Sequence, residues 1–174
     1  MRENLDKYGF QKTESILNEW NPDIKRRGTP EDACYVLDML LTLHSAPVDL
    51  MAYYDGEMKN LLYCGLFDMA TNDILPAYYA LHAFNELYRL KNEVKTEAEI
   101  PVLAATDGKI GKLLVSNKTA EPLPLDLELS GEWAVKKLRA LDGTNGLGEI
   151  ESVPCVVPPM TIAIVEFAAK SADR

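Results

Sequence analysis

The sequence predicts a mixed chain, α/β in its first half and all-β in its second. Three observations carry this. Residues 1–92 alternate short apolar runs with helix-periodic segments, residues 93–101 form a charged linker, and residues 102–170 hold short strand-like runs between turn signals.

The elements follow in order. Arg2 to Tyr8 reads as a short helix closed by Gly9, a residue suited to a helix C-terminus. Glu14 to Glu19 reads as a strand, followed by a solvated basic loop, Lys25-Arg26-Arg27-Gly28. Thr29-Pro30-Glu31-Asp32 starts a helix: a capping Thr, Pro at the first position, acids in the first turn, and Asp32 in the place of a capping-box acid. The helix runs to about His44 with an apolar face of Ala33, Val36, Leu37, Leu40, Leu41 and Leu43, and Ala46-Pro47 ends it. Val48 to Tyr53 is a second strand. Pro76 opens a helix to about Leu90, with Ala77, Ala80, Leu81, Phe84, Leu87 and Tyr88 on one side. Strand, helix, strand, helix implies βαβ units and a parallel sheet, which needs cover on both faces.

Six strand-like runs then follow the linker: Val102–Ala105, Lys112–Ser116, Leu123–Leu129, Ala134–Leu141, Ile150–Val157 and Thr161–Phe167. Asp107-Gly108 and Ser130-Gly131 are turn signals. Such spacing predicts a small antiparallel β-sandwich with Trp133 in its core. The Gly-rich stretch Asp142 to Gly148 has no following Lys-Ser/Thr or helix, so it reads as a hairpin loop and not a phosphate cradle.

Composition excludes several functions. The 174 residues are 47% hydrophobic and carry a net charge of -9, with a pI near 4.7. This acidic balance speaks against nucleic-acid or anionic-membrane partners, which select Lys/Arg patches. No apolar run approaches the roughly 20 residues of a membrane span. The polar start M-R-E-N-L-D-K-Y does not read as a secretory signal, so a cytoplasmic location is the default expectation. Cys34, Cys64 and Cys155 form no C-x-x-C pair and read as buried thiols. His44 and His82 lack ligands at metal spacing and read as helix-surface or core residues, so no metal or cofactor is expected.

The stretch E-S-I-L-N-E-W-N-P, Glu14 to Pro22, carries the chemistry. A short apolar run ends in Glu19, flanked by Asn18, Trp20 and Asn21, as a buried strand would deliver an acid to the mouth of a sugar-binding cleft. Taken alone, Glu19 also fits an ordinary surface Glu at a strand end, and Trp20 fits either a sugar subsite or packing. Tyr78 and Tyr79 read as helix packing.

The wider pattern resembles the last quarter of the barrel in clan A glycoside hydrolases, most closely the β-xylosidase-like family 39 and its arabinofuranosidase-like relatives. The resemblance rests on Glu19-Trp20-Asn21, on Met51-Ala52-Tyr53-Tyr54-Asp55, on the G-L-F segment within Leu61 to Asp68, and on the Pro76 to Ala80 run that opens the last helix. It implies a partial (β/α)8-barrel remnant, the last two βα units, followed by a C-terminal β-sandwich. It implies that Glu19 stands at the nucleophile position of a retaining enzyme. Tyr54 falls where the family often has a sugar-stacking Trp, and Asp55 matches the Asp after it. The family's acid/base is a Glu in an N-E pair after the fourth strand. Asn18-Glu19 is already assigned to the seventh, and Asn85-Glu86 lies within a helix, so half the catalytic pair is missing. Retaining chemistry needs both carboxylates, about 5–5.5 Å apart. The chain is therefore expected to be inactive alone and to handle carbohydrate only when the missing barrel half complements it.

Two other readings stand beside this one. The sandwich could be a carbohydrate-binding module, although all eight Tyr lie at or before Tyr88 and the only later aromatics are Trp133 and Phe167. Alternatively, the unpaired strand edges predict a self-associating structural fragment, a homo-oligomer.

Overall fold

Two neighbouring strands that lie parallel need a crossover between them, usually a helix. The computed structural model describes residues 2–22, 24–58, 65–131, 133–141, 146–151 and 154–169. In it, α1 (Arg2–Lys7) precedes β1 (Ile16–Trp20), α2 (Pro30–His44) crosses over, and β2 (Leu50–Tyr53) returns parallel to β1. Ile16 faces Leu50, Leu17 faces Met51 and Trp20 faces Tyr53. Arg2 ties the start of the pair together: its Nη2 donates to Thr13 O at 2.6 Å, Ser15 Oγ at 3.0 Å and Asp49 Oδ2 at 3.3 Å.

The start of α2 follows its Thr29 and Pro30 signals, but Asp32 does not close a capping box, because the Thr29 N–H donates to Arg26 O at 3.1 Å. Thr29 is extended and its hydroxyl accepts from the Asp32 N–H at 3.3 Å, with Pro30 in the first turn. Ala33, Val36, Leu37, Leu40 and Leu41 are buried. The preceding basic stretch is less solvated than expected. Ile24–Arg26 forms a 3-10 turn, and Arg26 bonds Glu31 at 2.9 Å and lies 4.2 Å over the Tyr35 ring. A guanidinium has a flat face to stack and a fork to bond, so it is pinned where a lysine would float.

After β2 come two short parallel strands, β3 (Glu57–Met58) and β4 (Phe67–Asp68), then α3 (Pro76–Tyr88). Leu61 to Cys64 lie outside the described residues. Ala77, Ala80, Ala83 and Leu87 are buried along α3. Tyr88, expected on that apolar side, is instead 77% exposed, while Leu87 and Leu90 on either side of it are buried.

The second half is dominated by one six-stranded antiparallel sheet of β5 (Asn92–Val94), β6 (Val102–Thr106), β7 (Ile110–Asn117), β9 (Trp133–Leu141), β10 (Leu147–Ile150) and β12 (Thr161–Ala169). Its order is β10-β9-β12-β7-β6-β5. Between these lie β8 (Leu123–Pro124) and β11 (Val156–Val157), which pair with each other. Alternate side chains point to opposite faces of the sheet. One face gives Ala105, Leu114, Leu141, Ile162 and Ile164 to a core shared with α2 and α3. The other gives Leu113, Val115, Leu138, Val165 and Phe167 to a second core under Leu123, Leu125, Leu127 and Val157, with Trp133 packed at its side.

Several expectations need correction. The second layer is smaller than a sandwich's second sheet. Only Leu123 and Pro124 of Leu123–Leu129 are strand, with one further bond from the Leu125 N–H to Cys155 O at 2.8 Å. Ile150–Val157 is not one strand: β10 ends at Ile150 and pairing resumes at Val156, beyond Pro154. Leu147 and Gly148 belong to β10 and not to the Gly-rich loop, whose residues 142–145 lie outside the described set. Asn92–Val94, at the start of the charged linker, is the sheet's edge strand.

The seam between α3 and the sheet holds an ion-pair network. Glu86 receives Arg139 Nη2 at 2.6 Å and Nη1 at 3.2 Å, and also bonds Lys112. Arg139 reaches Glu166 at 2.9 Å. Burial alone would raise the Glu86 pKa, but the Arg139 and Lys112 bonds outweigh it and hold the carboxyl below its usual value.

Candidate functional site

The polar residues at the end of β1 interrupt its pairing with β2. Leu17 pairs with Met51 and Trp20 with Tyr53, so Asn18 and Glu19 together oppose the single residue Ala52. This is a β-bulge, a device that re-aims side chains at a strand end. Asn18 and Glu19 are both exposed, whereas Trp20 is 8% exposed. The bulge thus turns the carboxylate outward while keeping the neighbouring indole in the core.

Main-chain and side-chain bonds hold the loops beyond the strands. Tyr54 N–H donates to Trp20 O at 2.9 Å, and Asn21 Nδ2 donates to Tyr54 O at 2.8 Å. The Trp20 and Tyr53 rings meet edge to face with centroids 5.2 Å apart, the favoured aromatic geometry. Glu19, Trp20, Asn21 and Tyr54 line one open depression of ≈ 450 Å³. Asp55 follows through a cis Tyr54–Asp55 peptide and is half-buried. Leu66 N–H donates to Gly56 O at 3.2 Å, and Leu75 N–H to Leu66 O at 2.9 Å, tying the start of α3 to the chain leaving β2.

The structure therefore gathers Glu19, Trp20 and Tyr54 at one rim, joined by Asn21, with Asp55 next in the chain. Trp20 contributes a buried wall, and Tyr54, 36% exposed, has the accessible ring. The bulge was missed in the sequence, and its signal was N-E-W-N: consecutive polar residues break the alternation of Ile16 and Leu17. Among the described residues no group of three or more His, Cys, Asp or Glu side chains could hold a metal ion.

No protein-family model matches the chain, nor does any curated protein sequence. Solved structures do. The chain is similar to a glycoside hydrolase family 30 subfamily 8 xylanase from Clostridium acetobutylicum, with a TM-score of 0.67 at 12% identity over 91% of this chain and 43% of that one. It is similar to a monomeric β-xylosidase from Caulobacter crescentus, with a TM-score of 0.63 at 15% identity over 98% of this chain and 48% of that one. A bifunctional glucanase-xylanase from a metagenome library gives a TM-score of 0.66 at 17% identity over 97% of this chain and 34% of that one. The likeness is one of fold. The chain spans less than half the length of these three enzymes.

Proposed function

We propose that this chain is the nucleophile-bearing portion of a retaining glycoside hydrolase of the clan A type, with the xylosidase- and arabinofuranosidase-like enzymes around family 39 as the finer reading. β1 and β2 are then the last two strands of a (β/α)8 barrel, and the antiparallel sheet is its accessory β domain. The observation that supports this best is the bulge at Asn18–Glu19, which presents a carboxylate beside Tyr54 at the C-terminal end of a parallel strand. Barrel enzymes carry their catalytic groups at that end.

In this reading Glu19 attacks the anomeric carbon, Tyr54 stacks on a sugar ring, and Trp20 and Asp55 shape the subsite. The acid/base carboxyl comes from barrel strands beyond these residues. A nucleophile without a proton donor lacks the differential stabilisation of the transition state that drives turnover. The 174-residue chain alone should not hydrolyse aryl xylosides or arabinofuranosides. Mixed with or fused to a polypeptide supplying the first six βα units, it should turn over, and Glu19→Gln should abolish this. Turnover by the chain alone that is lost in Glu19→Ala would overturn the reading.

A second proposal concerns the chain by itself. Ile16 is 50% exposed, Leu50 52% and Phe10 56%, close to strands whose outer edges are unpaired among the described residues. Such surface favours self-association. Light scattering should show species larger than a monomer, and a strict monomer at all concentrations would sink the proposal.

A further inference from the structure

A second concavity lies away from Glu19. α2 returns from the C-terminal end of β1 to the start of β2, so its last residue, His44, sits at the opposite end of the strand pair. There the ends of α2 and α3 meet the edge strand β5 and its neighbour β6 around a groove of ≈ 480 Å³, within the range of small-ligand sites. Phe84, Leu87 and Leu103 give it an apolar floor.

Its rim mixes donors and acceptors. Arg89 and Lys91 follow the end of α3, and neither is in an ion pair with a described residue. Glu93 lies opposite on β5 and is held by His44 Nε2 at 2.9 Å. The His44 ring is set edge-on to Phe84 at 6.0 Å, which fixes that pair in place. Tyr88 stands at the rim, 77% exposed.

We propose that this groove is an accessory binding site for a neutral oligosaccharide. The argument rests on chemistry. A pyranose has an apolar C–H face, which suits an apolar floor and an exposed aromatic ring. Its edge carries hydroxyls that both donate and accept, and the rim offers a carboxylate acceptor beside guanidinium and ammonium donors. Opposite charges share that rim, which disfavours a strongly charged ligand. The choice of a sugar rests on the glycoside hydrolase reading above. The lining used here comes from described residues of α2, α3, β5 and β6, so the proposal can be tested on this chain without the barrel half.

The test is calorimetric titration of the 174-residue chain with xylotetraose. Saturable binding is expected, weakened about tenfold or more by Tyr88→Ala and by Glu93→Gln, and unchanged by Glu19→Gln. Tyr88 is so exposed that its truncation leaves the core intact, and circular dichroism of each variant checks this. No binding at millimolar sugar, or binding indifferent to Tyr88 and Glu93, overturns the proposal. So does binding lost in Glu19→Gln, which places the sugar at the catalytic candidate. Failure here with Glu19-dependent turnover in the complemented enzyme would remove the accessory site and leave the hydrolase reading standing.

Discussion

The aliphatic residues of β1 and of β12 end in different surroundings. In β12, Ile162 and Ile164 face the helices, Ala163 and Val165 face the second core, and all four are at most 1% exposed. In β1, Leu17 packs toward the helical core while Ile16 is half exposed. The contrast shows that the same aliphatic side chains are sealed only where both faces of a strand are covered. The antiparallel sheet finds both its layers inside these residues. The parallel pair finds one.

Substitutions can break this contrast. Ile164→Ala should cost about 2–5 kcal/mol in denaturant unfolding, the usual range for emptying a sealed site. Ile16→Ala in the same assay should stay within about 0.5 kcal/mol, since half its surface already meets water. Equal costs at the two sites would mean that the β1–β2 face is covered in solution, by a second copy or otherwise.

Asp32 gives the next largest effect. It is fully buried, and burial pushes its pKa up to about 7 from 3.8 against the pull of the Gly28 backbone, Arg26 and Arg27. The folded state therefore keeps a proton that the unfolded chain releases near pH 4. The stability this confers is complete below about pH 4 and is lost as pH rises through 7, on the order of 4 kcal/mol in all. Asp32→Asn cannot ionise. It should match the parent at pH 4 and melt higher at pH 8, and a melting difference that does not grow with pH would refute this assignment.

The ion-pair seam comes last. Glu86→Gln leaves Arg139 and Lys112 short of a counter-charge in a partly buried site. We expect a loss of about 1–3 kcal/mol, below the full range for deeply buried pairs because water reaches these groups. If high salt weakens the parent more than the variant, and closes the gap between them, the seam is behaving as surface charge.

The sequence was most readable where one local cause sufficed. The start of α2 was legible because Thr29 and Pro30 each act within one turn, whereas the burial of Asp32 is set by what packs over it and was not. β7, β9 and β12 were legible because alternation follows from the pleat. β8 and β11 were misread because pairing is decided by a partner some thirty residues away. The linker was misread at Asn92–Val94 because an edge strand needs only one apolar neighbour and looks polar in sequence. At the candidate site the carboxylate was visible as a residue type, but its aim was not. A bulge is a mismatch between two strands, and no single strand encodes it.

The shared core has a consequence for how the chain is made. Ile162 and Ile164, on the last strand, pack into the same cluster as Val36 and Leu37 of α2. The apolar stripe of α2 stays without its full cover until more than a hundred further residues have been synthesised and β12 has slotted between β7 and β9. Contacts that distant in sequence form slowly. A nascent chain paused before residue 161 therefore leaves part of the α2 and α3 apolar surface uncovered.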